Sequence, residues 1–107
     1  MANAHDPIFR ALADPTRRAI FERLCRNGDQ TVVALTAYAG VSQPGVSKHL
    51  AVLKQAGLVR DRHEGRVTHY SVRRNALEPL VDWTNQMVGF WESKLDDLED
   101  LLGRMDQ

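Results

Sequence analysis

Two capped helices separated by four residues leave the stretch from Thr31 to Gly57 few ways to fold. Thr31 offers a hydroxyl cap for a helix running through Tyr38, with Val32, Leu35 and Ala39 on one side and Gly40 as its left-handed stop. A second helix starts at once. Ser42 is its cap, Gln43 and Pro44 fill its first turn, Val46, Leu50 and Leu53 form its apolar stripe, and Gly57 ends it. The connection Ala39-Gly40-Val41-Ser42 is short and contains glycine, as a helix-turn-helix requires if its helices are to cross steeply around a shared core.

That core needs further walls, and the preceding sequence supplies two. Asp6-Pro7 and Asp14-Pro15 each set a capping carboxylate before a proline suited to the first helical position. The first helix is short and carries Ile8, Phe9 and Leu12. The second runs from Pro15 towards Arg26 with Ile20, Phe21 and Leu24 at helical spacing, and ends near Asn27-Gly28.

Beyond Leu58 the period changes. Val59 to His63 and Arg66 to Val72 read as two strands joined at Glu64-Gly65, a hairpin with a basic tip that exposes Arg62 and Arg66. The last element is a helix over 75–105, with Asn75 as cap and Glu78 completing a capping box. Leu77, Leu80, Val81, Thr84, Met87, Val88, Trp91, Leu95, Leu98, Leu102 and Met105, all but Thr84 apolar, recur at steps of three and four. A chain of 107 residues cannot cover so broad a stripe with its own core, so the surplus is expected to meet a second copy through Leu80, Thr84, Met87, Trp91, Leu95, Leu98 and Leu102. The expected architecture is therefore mainly α with an α+β wing: a single winged helix-turn-helix domain over 1–107 with a long C-terminal dimerisation helix.

The net charge is zero, but the average conceals a division. Up to Asn75 there are 12 Lys/Arg against 6 Asp/Glu, and from Ala76 onward 2 against 8. A basic part joined to an acidic part suits a polyanion-binding head on a non-binding helix, because phosphate neutralisation depends on local charge. The acidic helix lacks the basic polar face of a membrane-surface helix, and no apolar run approaches the roughly 20 residues that cross a bilayer. The N-terminal residues show neither the basic start nor the apolar core of a signal peptide, so a cytoplasmic protein without membrane contact is expected.

In the helix over 43–56 the inward stripe turns Pro44, Ser47, Lys48 and Gln55 outward and leaves Gln43 and Gly45 at the exposed N-terminal end. Such a helix fits a major groove: Gln pairs bidentately with adenine, Ser donates or accepts, and Lys reaches guanine or phosphate. Gly45 permits close approach. The wing over 59–72 adds Arg62 and Arg66 for phosphates or the minor groove.

These residues carry a family resemblance. Leu12-Ala13-Asp14-Pro15-Thr16-Arg17-Arg18, then Val41-Ser42-Gln43-Pro44-Gly45-Val46-Ser47-Lys48-His49-Leu50 with Leu53, Ala56-Gly57-Leu58-Val59 and Gly65-Arg66, resemble the arsenic-repressor (ArsR) family of bacterial transcription regulators. The resemblance covers almost the whole chain. It implies a homodimeric winged-helix repressor on an inverted-repeat operator of double-stranded DNA, with Gln43, Gly45, Ser47 and Lys48 facing bases and His49 and the wing supporting them. It also directs attention to metal ligands. Thr31 and Val33 stand where the thiolate type carries a Cys-x-Cys pair, and the last helix has no histidine for a zinc site. The chain is thus similar to the non-metal branch, with no metal and no cofactor implied and the inducer unidentified.

The remaining chemistry-bearing residues are few. His63 and His69 lie on opposite strands of the wing, where they could approach each other without a third ligand, and His5 falls in the N-terminal tail. Cys25, the single cysteine, excludes an internal disulfide; it reads as a half-buried small residue, with a thiol-responsive regulator as an alternative if a nearby Arg lowers its pKa. A protein-interaction module acting through the acidic helix is the other alternative. No phosphate loop, nucleophile elbow or His-Glu-x-x-His pattern supports an enzyme.

Overall fold

Three helix starts are made by the caps that the sequence marks, in a computed structural model that describes residues 3–106. Met1, Ala2 and Gln107, which belong to the expected N-terminal segment and domain, lie outside the described residues. Helix α1 spans His5–Ala13, α2 Pro15–Asn27, α3 Val32–Ala39 and α4 Gln43–Gln55. Asp14 accepts from the Arg17 N–H at 2.9 Å, Thr31 from the Ala34 N–H at 3.1 Å and Ser42 from the Gly45 N–H at 3.2 Å. Each bond satisfies a donor that a helix start otherwise leaves unpaired. Gly40, at φ 68°, closes α3 in the left-handed region and turns the chain into α4.

Two starts differ from expectation. The Asp6 N–H reaches the Asn3 carbonyl at 3.1 Å, which places Asp6 inside the first turn of α1 rather than at its cap. His5 therefore belongs to the helix and not to a tail, and its ring meets Phe9 edge-on at 5.7 Å. The last helix, α5, spans Glu78–Met105, so the dimerisation helix expected over 75–105 begins three residues late. The preceding residues form turns, with the Ala76 N–H donating to Arg73 O at 3.0 Å and Ala76 itself buried. That turn takes Asn75 out of capping position and leaves Glu78 in the first turn beside Pro79.

The wing is a hairpin of β2 (Val59–Glu64) and β3 (Val67–Val72). Glu64 opposite Val67 makes Gly65-Arg66 the two-residue turn, one position later than the expected Glu64-Gly65. Gly65 has φ 62°, as a tight hairpin with a glycine at its first central position requires. A strand absent from the sequence reading, β1 (Gln30–Thr31), pairs antiparallel with β3 through Gln30–Tyr70 and Thr31–His69, giving the order β1-β3-β2.

The chain forms two compact units, one up to Leu77 and one from Glu78. The first has a core of Ile8, Ala11, Ile20, Phe21, Leu24, Leu35, Val46, Leu50, Leu53, Leu58, Val59 and Ala76. Within it α4 packs against α1, α2, α3 and β2. The second unit is α5, 28 residues and about 42 Å of helix.

The α4 stripe is fully enclosed, so Leu50→Ala is expected to destabilise the first unit by roughly 2–5 kcal/mol in chemical unfolding. The Arg17 N–H, with help from the Arg17 charge, holds the Asp14 carboxylate below its ordinary pKa. A carboxylate with a lowered folded pKa stabilises above its unfolded value, about 3.8, and loses that contribution as pH falls through the folded value. Asp14→Asn should thus flatten the acid limb of the stability profile below about pH 4, as urea unfolding at stepped pH would read.

Candidate nucleic-acid interface

Burial of Val46, Leu50 and Leu53 decides which residues of α4 face outward. Gln43, Pro44, Ser47 and Lys48 are exposed, Gly45 and His49 half-buried. Gly45 has a local reason to lack a side chain: a Cβ there would sit 3.3 Å from Ser42 Oγ, the atom that caps the helix. The cap and the approach surface therefore share one small residue.

Gln43 and Arg66 line the same cleft of about 150 Å³, together with Thr31, Val32, Val33, Val67 and Thr68. The start of the outward helix and the tip of the wing are thus parts of one surface. Thr31, Val33 and Thr68 were not singled out as functional by sequence reasoning. Their signal was faint: Val33 is an apolar residue on the outward side of α3, 71% exposed, and Thr31 reaches the cleft because β1 ties it to His69.

The two wing arginines are not equivalent. Arg66 is exposed at the turn with no ion-pair partner among the described residues, as is Lys48 on α4. Arg62 donates to Glu64 at 2.8 Å and lies 3.9 Å from Asp29, and the guanidinium holds the Glu64 carboxyl below its usual value. A phosphate would have to compete with two carboxylates for Arg62.

His49 is held from behind. Arg17 donates from Nε to Ala11 O at 2.6 Å and from one terminal nitrogen to Arg10 O at 3.2 Å, and its other terminal nitrogen lies 3.3 Å from His49 Nδ1. Because a guanidinium only donates, His49 accepts at Nδ1 and carries its proton on Nε2. The end of α1 is thereby tied to the flank of α4, and His49 positions the helix from its half-buried side. Lys54 anchors the other end of α4 through Asp61 on β2 at 3.0 Å, and that bond lowers the Asp61 pKa.

The histidine pair of the wing does not form. His63 is opposite Thr68 and His69 opposite Arg62, so the two rings fall on opposite faces of the hairpin. They meet different carboxylates, Asp61 at 3.3 Å and Glu64 at 3.5 Å. Cys25 is exposed rather than half-buried; desolvation by its neighbours and the nearby Glu22 push the thiol pKa up, outweighing Arg26. Proximity to arginine therefore does not activate it, and Thr31 uses its hydroxyl as a cap.

Residues 12–62, from the end of α1 into the wing, match a helix-turn-helix domain family. The transcriptional repressor SdpR of Bacillus subtilis is 36% identical over 76 residues, spanning 71% of this chain and 83% of that protein. The transcriptional regulator Rv2034 of Mycobacterium tuberculosis is 43% identical over 90 residues, spanning 79% and 83%. The crystal structure of the ArsR family transcriptional regulator RHA00566 superposes with a TM-score of 0.77 at 34% identity, covering 84% of this chain and 92% of that one. The chain belongs to the ArsR family. This ArsR-family protein is a winged helix-turn-helix, DNA-binding transcriptional regulator, a class that acts by binding rather than catalysis. Among its described residues no helix is long and apolar enough to cross a membrane.

Arg66→Ala should weaken binding to any duplex and reduce the salt slope of log K by about one unit, if it meets one phosphate. Arg62→Ala should change that slope less, because its charge is already met by Glu64 and Asp29. Affinities measured across a salt series compare the two.

Proposed function

We propose that this regulator is a homodimeric repressor that places α4 of each copy in the major groove of an inverted-repeat operator, with the wing alongside. The observation that carries the reading is the shared cleft of Gln43 and Arg66, next to exposed Pro44, Ser47 and Lys48. Gln43, Ser47 and Lys48 supply base-edge and phosphate donors, Gly45 keeps the helix start close to the duplex, and Arg66 reaches backbone or minor groove. His49 holds α4 through Arg17 rather than reading bases.

Dimerisation is supported by α5. None of its residues is buried, and at 100° per residue Leu80, Thr84, Met87, Trp91, Leu95, Leu98 and Leu102 fall within about 80° of the helix circumference. Trp91 is 65% exposed, an unusual position for the largest apolar side chain unless another surface covers it. A second copy supplies the same stripe, and a two-fold pair gives the symmetry of an inverted repeat. The absence of Cys at Thr31 and Val33 and of His in α5 favours the non-metal branch and leaves the signal as something other than a thiolate-bound metal.

Ser47→Ala and Lys48→Ala are expected to weaken binding to DNA from upstream of the regulator's own gene while leaving the dimer intact, whereas Trp91→Asp should yield monomers first and lose operator affinity as a consequence. Sedimentation and gel shift read the two effects separately; unchanged affinity in all three variants would remove the mechanism.

A further inference from the structure

A second cationic site lies at the base of the wing. Arg60, Arg73 and Arg74 line one cavity of about 430 Å³ with Gly57 and Asn75. The Arg73 N–H donates to Leu58 O at 3.0 Å, extending the β2–β3 pairing and bringing the end of α4 beside the turn that follows β3. Arg60 donates from Nε to Ser71 Oγ at 3.3 Å; no carboxylate lines the cavity. All six Asp and Glu residues of the first unit are engaged elsewhere: Asp6 with His5, Asp14 with the Arg17 N–H, Glu22 with Arg18 and Arg26, Asp29 with Arg62, Asp61 with Lys54 and His63, and Glu64 with Arg62 and His69. Three arginines thus line a cavity that has no carboxylate of its own, while Arg60 also borders a neighbouring pocket with Asp29 and Asp61; like charges gathered there repel one another, and an anion reverses the sign of that interaction.

From this we infer that the cavity binds a small phosphate-bearing ligand, held by the forks of Arg60, Arg73 and Arg74. Guanidinium pairs bidentately with phosphate oxygens, and a cavity of this size accommodates a phosphorylated metabolite. The site is separate from the DNA-facing cleft: Arg73 is seven residues along an extended strand from Arg66, about 20 Å. A bound phosphate would join the end of α4 to the turn that leads into α5, which gives the ligand a route to influence the regulator. The inference does not depend on the operator reading, since binding is measured without DNA.

The test is calorimetric titration of the full chain with inorganic pyrophosphate at fixed ionic strength. Saturable binding at about one site per chain is expected, weakened at least tenfold in the Arg73→Gln/Arg74→Gln double variant and retained in Lys48→Ala and Arg66→Ala. Arg74→Gln alone, in an exposed turn, should weaken binding severalfold and keeps the test decisive if circular dichroism shows that the double variant is unfolded. Absence of saturable binding would overturn the site, as would loss of binding in Lys48→Ala or Arg66→Ala in place of the double variant. Reduced duplex affinity and salt slope in Arg74→Gln would reassign the pocket to the DNA backbone and overturn a free ligand.

Discussion

The enclosure of one side of α4 governs the rest of the molecule. Val46, Leu50 and Leu53 have no exposed surface, and α1, α2, α3 and β2 all pack on the helix. Rotation of α4 by even a third of a turn would bring Lys48 or Ser47 into the core, with a desolvation cost that nothing there repays. The polar N-terminal face is outward because the apolar face has no alternative. Polar ties fix the helix along its length: Ser42 at its start, Arg17 through His49 on its flank and Lys54 through Asp61 near its end. The role proposed for α4 needs that immobility, since a supporting shell that leaves a site loose by an ångström forfeits the geometry that specificity needs.

Electrostatics divides labour on the same scaffold. The few carboxylates of the first unit sit beside cations and caps, and so leave Lys48 and Arg66 without counter-ions among the described residues. Acidic residues are concentrated in α5, where the chain carries 8 Asp/Glu against 2 Lys/Arg from Ala76 onward. A neutral average thus coexists with a first unit that is locally attractive to a polyanion.

Much of this was legible because caps and periodicity are local. Asp14, Thr31 and Ser42 announce their helices, and the α4 stripe predicts both the core and the exposed face. Features that depend on distant partners were not legible. β1 has two residues and exists only because β3 offers Tyr70 and His69 as partners, too short a run for any period to register. Asn75 and Glu78 have the spacing of a capping box, but burial of Ala76 and its bond to Arg73 keep the chain in turns until Glu78. Arg62 reads as a free wing cation in the sequence, although Glu64 sits on the same face two residues on along the strand; the second partner, Asp29, is 33 residues away. Sequence alone gives His49 a supporting place beside the exposed face, but its tie to Arg17, two helices earlier, depends on the fold.

The central claim is that two copies of α4 enter successive major grooves on one face of the duplex. Methylation interference on a bound upstream fragment tests it directly, because methylation at guanine N7 blocks the major-groove edge. Two clusters of interfering guanines with centres about 10 base pairs, or a multiple of that, apart are predicted. A single cluster, or interference confined to minor-groove positions, would contradict it.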